Sequence, residues 1–203
     1  MFEKMVDYIK PGVKGVAEIR HVNVSGEDSK RTSLRSFISR RDEYVAPGDY
    51  VQLNINGQLM MSDTSMEKRS NSHFVHEARG RVLIAGLGIG MVLLPILKKD
   101  EVESVIIIEK YQDVIDLVKI ESPKLKILCD DIFQWKPEKG SKFDTIYFDI
   151  WPDIKTTNLE EMSKLHQRFG RYKAPDAWME SWMRETLIAK KKAATRHNSK
   201  FYV

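Results

Sequence analysis

Three observations on the 203-residue chain predict an α/β fold built on a doubly wound, mostly parallel sheet. Short apolar runs at 81–85, 105–108, 126–129 and 145–148 alternate with helical stretches, the pattern of strands buried on both faces. The first run opens directly into Gly86-Leu87-Gly88-Ile89-Gly90. The second, third and fourth runs finish in acids, at Glu109, Asp130-Asp131 and Asp149. Strand ends of a parallel sheet converge on one crevice, so the glycines and the acids are expected along the same edge.

Taken in chain order, residues 1–80 read as a β-rich extension with irregular connections. His21–Val24 and Val51–Ile55 alternate as strands do. Asn56-Gly57 readily supplies the two positive φ values of a type I′ turn, so Val51–Met61 is expected to be a hairpin. Pro47-Gly48 marks the turn before it, and a short helix is one reading of the basic stretch around Leu34 and Phe37-Ile38. Residues 81–155 form the parallel core, with helices expected over Met91–Lys98 and Asp113–Lys119. Residues 156–203 read as helical and basic. Leu159, Met162, Leu165 and Phe169 fall at helical spacing, and a second helix is expected from Asp176 to about Ala193, carrying Trp178, Trp182 and Leu187. At most one weak strand, Phe201–Val203, follows Asp149 in this reading, so the sheet is expected to be shortened at its C-terminal end. The Leu159 helix would then cover the exposed sheet edge or pair two chains as a homodimer.

Composition narrows the function classes. No apolar run approaches the ~20 residues of a membrane span, and acids at Glu3 and Asp7 argue against a secretory leader. A single cysteine, Cys129, excludes a disulfide framework within the chain and predicts a reducing, cytoplasmic setting. Net charge is a mild +4, but ten Lys/Arg stand against three acids from Ser163 onward. Such a tail suits nucleic-acid phosphates or an acidic partner, with a solvated helix face as the alternative. His73 and His76 lack a third ligand, so no metal site is expected.

The chemistry sits at the glycines. Gly86, Gly88 and Gly90 permit a tight turn and close approach of a ligand to the backbone. Met91 stands where the dinucleotide fingerprint needs a small residue, and no Gly-Lys-Ser/Thr of a P-loop follows. Glu109, 23 positions beyond Gly86, is placed to accept hydrogen bonds from the vicinal hydroxyls of a ribose. Asp149 is the candidate catalytic residue, able to accept a hydrogen bond from an attacking amine or to act as a base toward a hydroxyl. Trp151 and Asp153 follow it toward an acceptor pocket, which His76 and Glu77 are also expected to reach.

The segments Val82–Gly90, Ile106–Lys110, Cys129–Asp131 and Phe143–Asp149 resemble the class I S-adenosylmethionine-dependent methyltransferase superfamily, most nearly its spermidine synthase-like branch. The resemblance extends to Leu53–Gly57 and His76-Glu77 and spans about half the chain. It implies a Rossmann-like core binding S-adenosylmethionine or its decarboxylated form. Gly86, Gly88 and Gly90 would line the amino-acid and ribose side, Glu109 would hold the ribose, and Asp130 would reach the adenine amino group with the backbone near Asp131. The first functional reading is methyl transfer to an unidentified acceptor. Aminopropyl transfer from the decarboxylated donor is the alternative, and a non-catalytic module acting through its basic tail is the third.

Overall fold

The computed structural model describes residues 2–39 and 44–199. Strands β1 (Gly12–Lys14), β2 (Ala17–Val24), β3 (Gly48–Ile55) and β4 (Gln58–Ser62) form an antiparallel sheet in that order. Helix α1 (Gly26–Ser39) joins β2 to β3. At the β3–β4 turn, Asn56 has φ 52° and Gly57 has φ 76°, the conformation that Asn-Gly predicts.

Helix α2 (Ser65–Glu77) leads from β4 into the second sheet. That sheet contains β5 (Gly80–Ala85), β6 (Val102–Glu109), β7 (Leu125–Cys129), β8 (Phe143–Phe148) and β9 (Lys173–Ser181). Its order is β7-β6-β5-β8-β9, and every pair is parallel. Helices α3 (Leu93–Leu97), α4 (Gln112–Val118), α5 (Asn158–Phe169) and α6 (Arg184–Ser199) complete the chain. The alternation along β5 divides the core. Val82 and Ile84 pack with Phe74, Leu53 and Ile19, whereas Leu83 and Ala85 pack with Phe148, Met162 and Phe169. The antiparallel sheet is fastened to the parallel one at α4, where Asp113 accepts the Val16 amide at 3.0 Å and Lys14 pairs with Asp116.

Two expectations are corrected. The helix expected from Asp176 is a strand followed by a helix that begins only at Arg184. The reason is tertiary: without a neighbour, the outer edge of β8 would carry unpaired backbone groups, and residues 178–181 pair with Thr145–Phe148 instead. Pro175 and Asp176, the latter at φ 57°, sit where the register shifts, the position an edge strand tolerates for proline. The sheet thus gains a fifth strand not read from the sequence, while the candidate Phe201–Val203 lies outside the described residues. The second correction is α2, which lies in the stretch read as β-rich with irregular connections. Among the described residues, no helix is long and apolar enough to cross a membrane.

Candidate active site

The C-terminal ends of β5, β6, β7 and β8 open into a cavity of about 320 Å³, roofed by Leu53, Ile55, Met60 and Met61 of the β3–β4 hairpin. Its volume falls within the range of small-molecule sites. The glycine turn forms one wall. Gly86 has φ +94°, and a Cβ there would lie 2.2 Å from the carbonyl oxygen of Asp149. Only glycine lets the turn and the end of β8 touch. Gly88, at φ +54°, lies against the Met61 thioether, whose sulfur also accepts the Ile89 amide at 3.3 Å.

Glu109 is 6% exposed, and its carboxylate faces the turn. One oxygen accepts the Leu87 amide and the other the Tyr111 amide, each at 2.8 Å. Burial raises its pKa from the ordinary value, and the Leu87 and Tyr111 amides oppose that rise. Each oxygen keeps a lone pair for a further donor such as a ribose hydroxyl. Glu109→Ala strands two buried amides, so it is expected to lower Tm by about 4–8 °C in a thermal melt. An unchanged Tm would show that the carboxylate does not hold the turn.

Asp130 and Asp131 line the same cavity after β7. Asp131 accepts the Phe133 amide at 2.9 Å and pairs with Lys110 at 3.1 Å; these contacts hold its carboxyl below the usual range. Arg168 of α5 braces the loop from behind by donating to the carbonyls of Ile132 and Trp135.

On the other side, Asp149 and Glu67 face each other's charge across the cavity. The Asp149 carboxylate has no hydrogen-bond partner among the described residues, and burial pushes its pKa up to about 7. Glu67, in the first turn of α2, is raised to about 8 by burial and then by the Asp149 charge, against a backbone hydrogen bond from Ser62. Two indoles complete this half of the cavity. Trp151 donates through Nε1 to Glu161 at 2.9 Å, and Trp182 donates to Ser70 Oγ at 2.9 Å. Two carboxylates with raised pKa values and two hydrogen-bonded indoles thus line the same half of the cavity, an arrangement able to attract a cation or accept a proton near neutral pH.

The structure thus brings together Gly86, Gly88, Glu109, Asp130, Asp131, Asp149 and Trp151. Gly90 closes the turn, its N–H donating to Leu87 O at 3.0 Å, and lies outside the cavity wall. His76 and Glu77 are corrected. They end α2 beside the start of β5, at the opposite end of the sheet, where Lys99 donates to the His76 carbonyl and Glu77 pairs with Arg79. Asp153 also lies outside the wall; it pairs with Lys155 and accepts from Asn158. The reading missed Glu67 and Trp182, whose places depend on α2 and β9. The one available signal was the Thr64-Ser65-Met66-Glu67 string, a helix opening placed just after the hairpin.

The sheet order, glycine turn and acid-tipped strands give the doubly wound parallel α/β fold expected from the sequence. In sequence the chain is similar to polyamine aminopropyltransferase 1 of Streptomyces coelicolor, 25% identical over 166 residues. The match takes in 73% of this chain, which spans 31% of that protein's length. No family model matches. Among solved structures, the spermidine synthase of Thermotoga maritima aligns at TM-score 0.42 and 24% identity, over 49% of this chain and 40% of that one. A spermidine synthase in complex with the transition state analogue AdoDATO aligns at 0.48 and 21%, over 64% and 48%. The plantazolicin methyltransferase BpumL in complex with SAH aligns at 0.38 and 17%, over 54% and 40%.

Proposed function

We propose that this protein transfers an alkyl group from an adenosyl sulfonium to an amine held between Glu67 and Asp149. The observation that carries the reading is the charge of the cavity wall. Six carboxylates line it, and Lys110, already tied to Asp131, is the one cation among the described lining residues. Such a wall suits a cationic donor and a cationic acceptor, and it offers no unpaired cation to a donor carboxylate. It therefore favours decarboxylated S-adenosylmethionine and aminopropyl transfer over the methyl transfer first read from the sequence. The sequence similarity to a polyamine aminopropyltransferase agrees with this choice.

The fit rests on features of the chain itself. Glu109 retains free lone pairs beside a turn that admits no side chain at position 86. Glu109 and the turn would hold the ribose, and Asp130 with the loop braced by Arg168 would hold the base. When bound, the sulfonium supplies an electrophilic carbon attached to a good leaving group. The rest falls to the protein. Trp151 and Trp182 fix the acceptor's path, Glu67 attracts its ammonium, and Asp149 takes one proton so that a nitrogen lone pair is free to attack.

The test uses both donors with simple diamines and identifies the nucleoside product by mass spectrometry. Decarboxylated donor with a diamine is expected to give methylthioadenosine, and Glu109→Ala to weaken donor binding about tenfold or more in calorimetry. Release of S-adenosylhomocysteine from S-adenosylmethionine instead would restore the methyltransferase reading. Binding of neither donor by folded protein would leave the non-catalytic module.

A further inference from the structure

A second concave surface lies between α5 and α6. Glu161 of α5 looks into the active-site cavity, whereas Glu160, Lys164 and Gln167 of the same helix line a separate groove of about 820 Å³. We infer that this groove binds the phosphodiester backbone of a nucleic acid. The inference is independent of the catalytic reading.

Arg184, Lys191 and Lys192 of α6 meet Lys164 of α5 over the groove. Their spacing puts the three α6 cations on one helix face. The single opposing carboxylate, Glu160, is paired with Lys164 at 2.7 Å. Lys191 and Lys192 are exposed and have no ion-pair partner among the described residues. The Arg184 Nε is buried and has no acceptor among the described residues, although Nη1 of the same side chain lies 3.6 Å from Glu180. Lys191 and Lys192 are thus the uncompensated charge of the groove, which an anion lying across it would neutralise.

The remaining lining identifies the anion. The exposed Thr156 and Thr157 and the Gln167 amide line the same groove from the α5 side, opposite the α6 cations, a mixture of donors that phosphate oxygens use. An acidic peptide would engage the cations, but it has less use for neutral donors opposite them. No aromatic side chain is among the described residues lining the groove. Bases therefore have no stacking platform, and binding follows the backbone without regard to sequence.

The test is fluorescence anisotropy of the full chain with a labelled 12-nucleotide oligouridylate. Binding is expected with Kd about 10–100 μM near physiological salt, and log K should fall against log salt with a slope of about −2. Arg184→Gln/Lys191→Gln/Lys192→Gln should weaken binding tenfold or more and flatten the slope. The pair Lys191→Gln/Lys192→Gln, confined to exposed positions, should lose at least threefold and guards against a folding defect. Lys10→Gln/Lys136→Gln/Lys139→Gln removes the same charge from exposed sites elsewhere and should bind within twofold of the parent. No binding at 50 mM salt, equal loss in the distant triple variant, or tighter binding of a polyglutamate peptide at the same groove would each overturn the inference.

Discussion

Asp149→Asn is expected to lower kcat by about 10³-fold while leaving donor affinity within a factor of about three. The substitution is nearly isosteric. It keeps the Asp149 amide on the Ala85 carbonyl at 2.9 Å and the backbone fit against Gly86. What it removes is the one desolvated carboxylate in the cavity with no protein hydrogen bond to satisfy it among the described residues. An amide cannot accept a proton from an ammonium, so the acceptor nitrogen stays blocked. Steady-state kinetics with calorimetry of the donor separates the two effects. Turnover within threefold of the parent would remove Asp149 from the chemistry.

Glu67→Gln is expected to stabilise the ligand-free protein and to cost it the acceptor. Glu67 titrates at about 8 and Asp149 at about 7, against ordinary values of 4.5 and 3.8. Both groups hold their protons more tightly in the native chain than in the unfolded one. Native stability therefore falls as pH rises from about 4 through about 8, because ionisation costs more inside the cavity than outside it. Replacing Glu67 removes about half of that cost. Tm should rise by about 4–8 °C at pH 8, with no rise at pH 4. Added diamine should raise the Tm of the parent and leave the variant unmoved. A variant no more stable at pH 8 than the parent would show that Glu67 carries no buried charge, and with it no hold on the acceptor. The same titrations make turnover climb with pH between about 6 and 8, as the two carboxylates ionise.

The half of the site proposed to grip the donor was legible in the sequence because it is local. A glycine turn after one strand, and acids ending the next three, lie at the strand ends of a parallel sheet, and the structure brings them to one edge. The acceptor half was not, for it is assembled from distant segments. Glu67 enters the cavity only because the antiparallel sheet docks on α4 and aims the start of α2 at β8. Trp182 enters only because 173–181 completes the sheet; the same residues, considered alone, have a pattern that a helix also satisfies. His76 and Glu77 were drawn toward the site by nearness in the chain to the hairpin, yet a helix of 13 residues carries them to the far end of the sheet.

The contact between Gly86 and the carbonyl of Asp149 restricts position 86 alone, because every residue at 149 would carry that carbonyl. Any side chain acquired at 86 would push the end of β8 aside, whereas the side chain at 149 can change without disturbing the turn. The glycine is therefore the position least free to change, and the chemistry at 149 can vary upon an unaltered backbone.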